Sequence, residues 1–214
     1  MLIPSPGLHI ARLDDDLVVL DLAQDAYFCL PGVGCEISRT LNGDWRPSGP
    51  DIATSLVNSG LFLRGAVIEA PTCAPLPVRT TRGMFHGSEA SATDLLLLLA
   101  IWGREARRIH DRPVAALIRQ SKRLERASAD EAAVVDAVHL FERWSPLLPF
   151  QGLCLYRAYL LRAFLAAQGH GVSWVFGVRT WPFNAHCWLQ LGDLLLDDDL
   201  DRVRLYTPIL TVAP

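Results

Sequence analysis

One change of period constrains the fold of this chain more than any other feature. From about Leu153 to Gln168 the apolar residues follow helical spacing, and Gly169 stands where a helix stops in a C′ glycine. The pattern then alternates: Val172, Trp174, Phe176 and Val178 share one side, with Ser173, Gly177 and Arg179 on the other. Thr180 to Asn184 reads as a loop around Trp181-Pro182. Ala185 to Leu191 reads as a second strand, Gly192-Asp193 as a hairpin turn and Leu194 to Asp197 as a third strand. A helix that feeds an antiparallel meander buries its apolar stripe on one face of the sheet, which predicts an α+β fold.

More helices are expected upstream. Ser91-x-x-Asp94 and Ser128-x-x-Glu131 both match the capping-box pattern. They predict helices from Thr93 to His110 and from Ala132 to Trp144, and Pro113 marks the start of another between them. Pro146 and Pro149 enforce a turn before the helix at Leu153.

The chain changes character between Ala70 and Gly83, which hold three prolines and no helical period. This predicts a module over 1–70, a linker over 71–83 and a larger domain over 84–214. In the module, Leu8 to Leu13 and Leu17 to Leu22 read as strands around the acidic turn Asp14-Asp15-Asp16, and Ala26 to Leu30 as a third. Val33, Ile37 and Leu41 fall on one helical face closed by Asn42-Gly43-Asp44, and a second short helix runs from Asp51 to Ser59. Leu61 to Ile68 returns as an extended segment. Strands followed by short helices suggest a winged-helix-like module.

Composition narrows the function classes. Half of the 214 residues are apolar, and the net charge of −3 provides no basic patch for nucleic acid. The five cysteines are odd in number, loosely spaced and without C-x-x-C, which argues against a disulfide framework and a structural zinc site. The longest apolar run, Leu95 to Trp102, is too short to span a bilayer, and the N-terminus carries no signal-peptide pattern. A cytoplasmic protein with no membrane contact is expected.

The same switch of period brings chemistry together. Cys154 falls in the first turn of a helix, where unpaired N–H groups and the positive end of the dipole favour a thiolate. The same N–H groups would stabilise an oxyanion, with the Gln151 side chain as a further donor. His186 on the following strand is the candidate base, and Asp197, Asp198 and Asp199 are the candidate acceptors that orient it. If Gly192-Asp193 is a two-residue turn, paired residues sum to 385, and His186 faces Asp199 and shares a side with Asp197; a bulged turn brings Asp198 to it instead. The pattern alone leaves both registers open. Cys187 points away from His186 on a regular strand and reads as core. A zinc site from Cys154, His186 and Cys187 lacks ligand-pair spacing, so no metal is expected.

The segments Gln151-Gly-Leu-Cys-Leu-Tyr-Arg-Ala, Gly169-His-Gly-Val, Phe176-Gly-Val-Arg, Ala185-His-Cys-Trp-Leu and Leu195-Leu-Asp-Asp together resemble the lasso-peptide leader peptidases, the B proteins of lasso-peptide biosynthesis. The resemblance implies a transglutaminase-like, papain-like domain with Cys154 as nucleophile, His186 as general base and Asp198 as orienting acid. The family pattern there reads apolar-apolar-Asn-Asp, so Asp197 stands where asparagine is common and remains the alternative acid. The assignment of Asp198 also implies that the Gly192 turn is not a simple two-residue hairpin. In some members a module similar to the coenzyme-PQQ-biosynthesis D protein, a RiPP recognition element, precedes the peptidase. By this resemblance the leader of a precursor peptide would add as a strand, lined by Tyr27 and Phe28. The implied partners are that precursor and a separate asparagine-synthetase-like cyclase. No cofactor is implied for this chain; any ATP dependence would enter through the cyclase. An acyltransferase or transglutaminase-type enzyme with the same triad is the alternative.

Overall fold

The computed structural model describes residues 1–40, 43–65, 73–84, 92–109, 112–121, 130–148 and 154–214. The chain divides into two compact units, and both mix helices with predominantly antiparallel sheets, an α+β fold.

The first unit comprises Met1–Cys73 and Val178–Asn184. Its strands are β1 (Leu2–Pro4), β2 (Leu8–Leu13), β3 (Asp16–Asp21), β4 (Ala26–Leu30), β5 (Ile37–Arg39), β6 (Trp45–Pro47) and β7 (Phe62–Arg64), with one helix, α1 (Pro50–Asn58). Strands β2, β3 and β4 form an antiparallel meander, and Leu13 pairs with Asp16 across a two-residue turn in which Asp14 takes a left-handed conformation. The remaining strands form a sheet in the order β5-β6-β1-β7. Leu17 and Val19 from the meander join Leu2, Ile37, Trp45, Leu56 and Phe62 in one apolar core. Within this unit the indole of Trp181 donates to Asp16 Oδ2 at 2.8 Å, and the Phe183 ring lies 5.7 Å from that of Tyr27.

The three strands of the meander fall where the sequence places them, but the helix expected from Val33 does not form. Val33–Glu36 makes a single 3-10 turn, and Ile37 starts β5. Gly34 packs so closely against the backbone of Asp15 that a Cβ there would lie 2.6 Å from Asp15 C. That contact fixes the turn, and β-branched Ile37 gains more from pairing with Pro47 in a sheet than from a short helix. The end expected at Asn42 lies outside the described residues, as do residues 66–68 of the extended segment. Among the described residues one α-helix accompanies seven strands, so this unit has more sheet and less helix than a winged-helix module was expected to show.

The second unit comprises Ala74–Gly177 and Ala185–Pro214. It contains β8 (Arg79–Thr80), α2 (Ala92–Ile109), α3 (Val114–Ser121), α4 (Glu131–Trp144), α5 (Cys154–Ala167), β9 (Ser173–Arg179), β10 (Asn184–Leu191), β11 (Leu194–Leu195), α6 (Leu200–Val203) and β12 (Thr207–Val212). The ends of β9 and β10 that flank the loop, Val178–Arg179 and Asn184, group with the first unit. The sheet order is β12-β9-β10-β11-β8, antiparallel between β10 and β11 and parallel between β11 and β8. From 74 onward the segment expected as a linker belongs to this unit: Arg79 and Thr80 pair with Leu194 and Leu195, and Ala74 N–H donates to Thr211 Oγ1.

Helix α5 packs against α2, α3 and α4. It buries Ala158, Leu161, Ala163, Phe164 and Leu165 together with two polar residues. Arg162 donates to Ser121 Oγ and to the Ala213 carbonyl, both at 2.6 Å, and Tyr159 donates to the buried Glu105 at 3.0 Å, so these groups are satisfied inside the core. Gly169 ends the helix in a left-handed conformation, with its own N–H on Ala166 O and the His170 N–H on Leu165 O, a Schellman closure. Helix α4 is capped by Asp130, whose carboxylate accepts the Ala132 N–H at 3.2 Å, while Glu131 binds Arg79. Ser91 and Ser128 of the expected capping boxes lie outside the described residues.

Candidate active site

Cys154 is the first residue of α5, at its positive end. His186 and Cys187 lie near the start of β10, and Asp198 lies between β11 and α6. The structure brings Cys154, His186 and Asp198 together in the second unit. His186 Nε2 is hydrogen-bonded to Asp198 Oδ2, and both side chains are about nine-tenths buried. Asp198 occupies Nε2, which leaves Nδ1 as the ring nitrogen that can serve Cys154. The imidazole is flanked by the rings of Tyr206 and Trp188, at centroid distances of 5.2 and 6.3 Å. Gly177 makes room for this stack: a Cβ there would meet the Trp188 ring at 2.7 Å and Tyr206 Cβ at 2.9 Å.

Electrostatics make the pair ionic. The Cys187 thiol hydrogen-bonds the Cys154 sulfur; burial opposes ionisation, but the bond and charge of His186 and the Cys187 backbone N–H add to the first effect, and Cys154 is lowered to about 4. Burial works against the imidazolium of His186, yet hydrogen bonds to Asp198 and Cys154 outweigh it and raise His186 to about 9. Asp198 is held below the ordinary carboxylate range: burial is overcome by the His186 hydrogen bond, the Asp199 N–H and the nearby Arg202, whose guanidinium lies 3.4 Å away. At neutral pH the site is a thiolate and an imidazolium steadied by a carboxylate. This is the charge state of a cysteine nucleophile with its acid already loaded.

A model of the transglutaminase-like superfamily matches residues 95–211, more than half of the chain and the whole of this constellation. The chain belongs to the transglutaminase-like superfamily. Members of this superfamily are typically cysteine-dependent peptidases and acyltransferases. No curated protein and no solved structure matches the chain.

In this transglutaminase-like domain the choice of Asp198 has a structural cause other than the one the turn was expected to supply. Leu191 pairs with Leu194, and Gln190 with Leu195, so the turn at Gly192-Asp193 is a plain two-residue hairpin. The break comes at the other end. Leu196 N–H still donates to Leu189 O, but the Leu196 carbonyl accepts from Thr81 Oγ1, and Leu189 N–H turns to Asp197 Oδ1 at 2.8 Å. The chain therefore leaves the ladder after Leu196, strand alternation lapses, and Asp198 swings onto the histidine. Asp199 goes elsewhere: it caps α6 through Asp201 N–H and pairs with Arg82.

The same departure explains Cys187, which regular alternation placed out of reach. Leu189 and Cys187 direct their N–H groups toward the same flank of β10. Among the described residues no strand pairs with that flank beyond Leu196, and the Cys187 N–H helps to lower Cys154. Cys187 is indeed buried, at 4% exposure, and its thiol is raised by the neighbouring Cys154 sulfur and by burial. Burial raises Asp197 to about 7, against the pull of the Leu189 N–H; residue 197 keeps some exposure, but its carboxyl group is enclosed. Among the described residues no three His, Cys, Asp or Glu side chains form a metal-binding group. Gln151 lies outside the described residues. Tyr27 and Phe28 lie on β4 in the first unit; Phe28 is 41% exposed and does not fill the core.

Proposed function

We propose that the chain is a cysteine peptidase that removes the leader from a lasso-peptide precursor before macrolactam formation by a separate cyclase. The observation that carries the peptidase reading is Cys154 at the head of α5 together with the hydrogen-bonded pair His186–Asp198. In this reading the thiolate adds to the scissile carbonyl, and N–H groups at the start of α5 receive the developing oxyanion. The imidazolium gives its proton to the leaving amine, the C–N bond breaks, and a thioester to Cys154 remains. Neutral His186 then takes a proton from water, which releases the leader as a carboxylate and restores the thiolate.

The resemblance of the five segments supports the lasso-peptide substrate. The leader's place is argued from β4, an edge of its three-stranded sheet among the described residues, with Phe28 exposed on it. An extended leader would add to that edge, lined by Tyr27 and Phe28. The cyclase remains the expected partner, and no cofactor is assigned to this chain.

The test uses a lasso precursor with an intact leader, the chain and a cyclase, read by mass spectrometry. Wild type should release a free leader, and Cys154→Ala should leave the precursor whole while still binding it. Cleavage by Cys154→Ala would contradict the reading. The superfamily match also supports an acyltransferase, because an amine can resolve the same thioester. Added amine donor would then appear on the leader's new C-terminus in place of water.

A further inference from the structure

We propose that Thr81 is a positioning residue for the triad: its hydroxyl holds open the break after Leu196 that turns Asp198 onto His186. The inference rests on Cys154, His186 and Asp198 being the working triad. Thr81 stands in the segment expected as a linker, ahead of the region 95–211 that the superfamily model matches.

The break is an exchange of partners. Leu189 and Leu196 face each other at the register set by Leu191↔Leu194 and Gln190↔Leu195. In a continued antiparallel ladder such a pair trades two bonds, N–H to carbonyl in each direction. The bond from Leu196 N–H to Leu189 O is kept, at 3.0 Å. The other is replaced by two: Leu189 N–H donates to Asp197 Oδ1 at 2.8 Å, and Thr81 Oγ1 donates to the Leu196 carbonyl at 3.0 Å. The exchange needs both new partners. Thr81 and Leu196 are each 1% exposed, and a carbonyl left without a donor there is costly.

Thr81 is itself held through its backbone. Its N–H donates to Leu195 O at 3.0 Å, and its carbonyl accepts from Met84 N–H at 3.0 Å and from His139 Nε2 on α4 at 3.2 Å. Beside it, Arg82 reaches Asp199 Oδ2 at 2.8 Å. Residues 81 and 82 therefore grip the chain on both sides of Asp197-Asp198, one at the Leu196 carbonyl and the other at Asp199. Loss of the Thr81 hydroxyl sends the Leu196 carbonyl back to Leu189 N–H. The ladder then continues at the same register and sets residue 198 opposite Cys187, off the side that carries His186.

The experiment compares Thr81→Val, which keeps the shape and loses the donor, with Thr81→Ser, which keeps the donor and loses a methyl. Two readouts are taken below the Tm of each variant. The first is 15N NMR of the histidine rings of the full chain against pH, with His186 identified by the signals that vanish in His186→Ala. The second is kcat and KM for cleavage of a lasso precursor. In Thr81→Val the His186 titration midpoint should fall by about one pH unit, because the ring loses its carboxylate. Its kcat should fall about tenfold or more, with KM within about twofold of wild type. Thr81→Ser should restore both, and Thr81→Ala is read in place of Thr81→Val if the latter does not fold. A lowered Tm with the His186 titration and kcat of wild type would make Thr81 a packing residue only and overturn the proposal. A Thr81→Ser that behaves like Thr81→Val would also sink it. If the midpoint falls in Thr81→Val but wild type cuts no precursor, the positioning role stands and the peptidase reading falls. If wild type cuts the precursor and Thr81→Val cuts it equally well, the positioning role falls and the peptidase reading stands.

Discussion

The Asp197 carboxylate accepts the backbone N–H of Leu189 at 2.8 Å, a bond that in a continued ladder would belong to the Leu196 carbonyl. This substitution ends β11, turns Asp198 toward His186 and frees the flank of β10 for Cys154. An amide oxygen accepts that N–H as well as a carboxylate does. Asp197→Asn should therefore keep the site intact, whereas Asp197→Ala leaves a buried N–H unpaired at a cost of about 1–3 kcal/mol. Chemical denaturation of the two variants measures the difference.

Asp197 also has a pH signature. Its folded value of about 7 lies above that of an unfolded carboxyl, so the folded state holds the proton more tightly. The stability this contributes is present in full below the unfolded value and is lost as pH rises through about 7. Relative to wild type, the Tm of Asp197→Asn should therefore rise between pH 4 and pH 8. A constant difference across that range would show that Asp197 is ionised throughout.

Gly177 tests the packing beneath the histidine. An added methyl meets the Trp188 ring at 2.7 Å, on a strand where neither partner has space to retreat. Gly177→Ala should destabilise the protein by about 1–3 kcal/mol through overpacking, read as a lowered Tm. It should also lower activity by displacing the ring stack that holds His186.

Asp198 sets the histidine. Asp198→Asn keeps the volume but removes the charge that favours imidazolium, so the alkaline limb of the pH–activity profile should move down from about 9. kcat should fall by about a hundredfold or more, as for other orienting carboxylates. An unchanged alkaline limb would assign that role elsewhere.

Much of this was legible in the sequence. The helix that ends at Gly169 and the alternating strands after it locate Cys154 and His186, because both periods report burial on one face. Strand pattern could not choose the aspartate, since the choice depends on where the ladder breaks, and that break is a side chain standing in for a backbone acceptor. Nor could it show that Cys187 acts on the Cys154 thiol, for the same reason. The residues that close the sheet, Arg79-Thr80 and Thr207–Val212, carry too short or too ambiguous a pattern to announce a strand. In the first unit, helical spacing at Val33 and Ile37 misled because the close approach of Gly34 to Asp15 is a tertiary contact.

Cys154 is a thiolate because Cys187 and His186 stabilise it. The direct measurement is the rate of Cys154 alkylation by iodoacetamide against pH, followed by peptide mass mapping. The thiolate of wild type should be half-formed near pH 4, and His186→Ala should move that midpoint up toward the ordinary thiol range. A wild-type midpoint already in that range, or one unmoved by His186→Ala, would contradict the account.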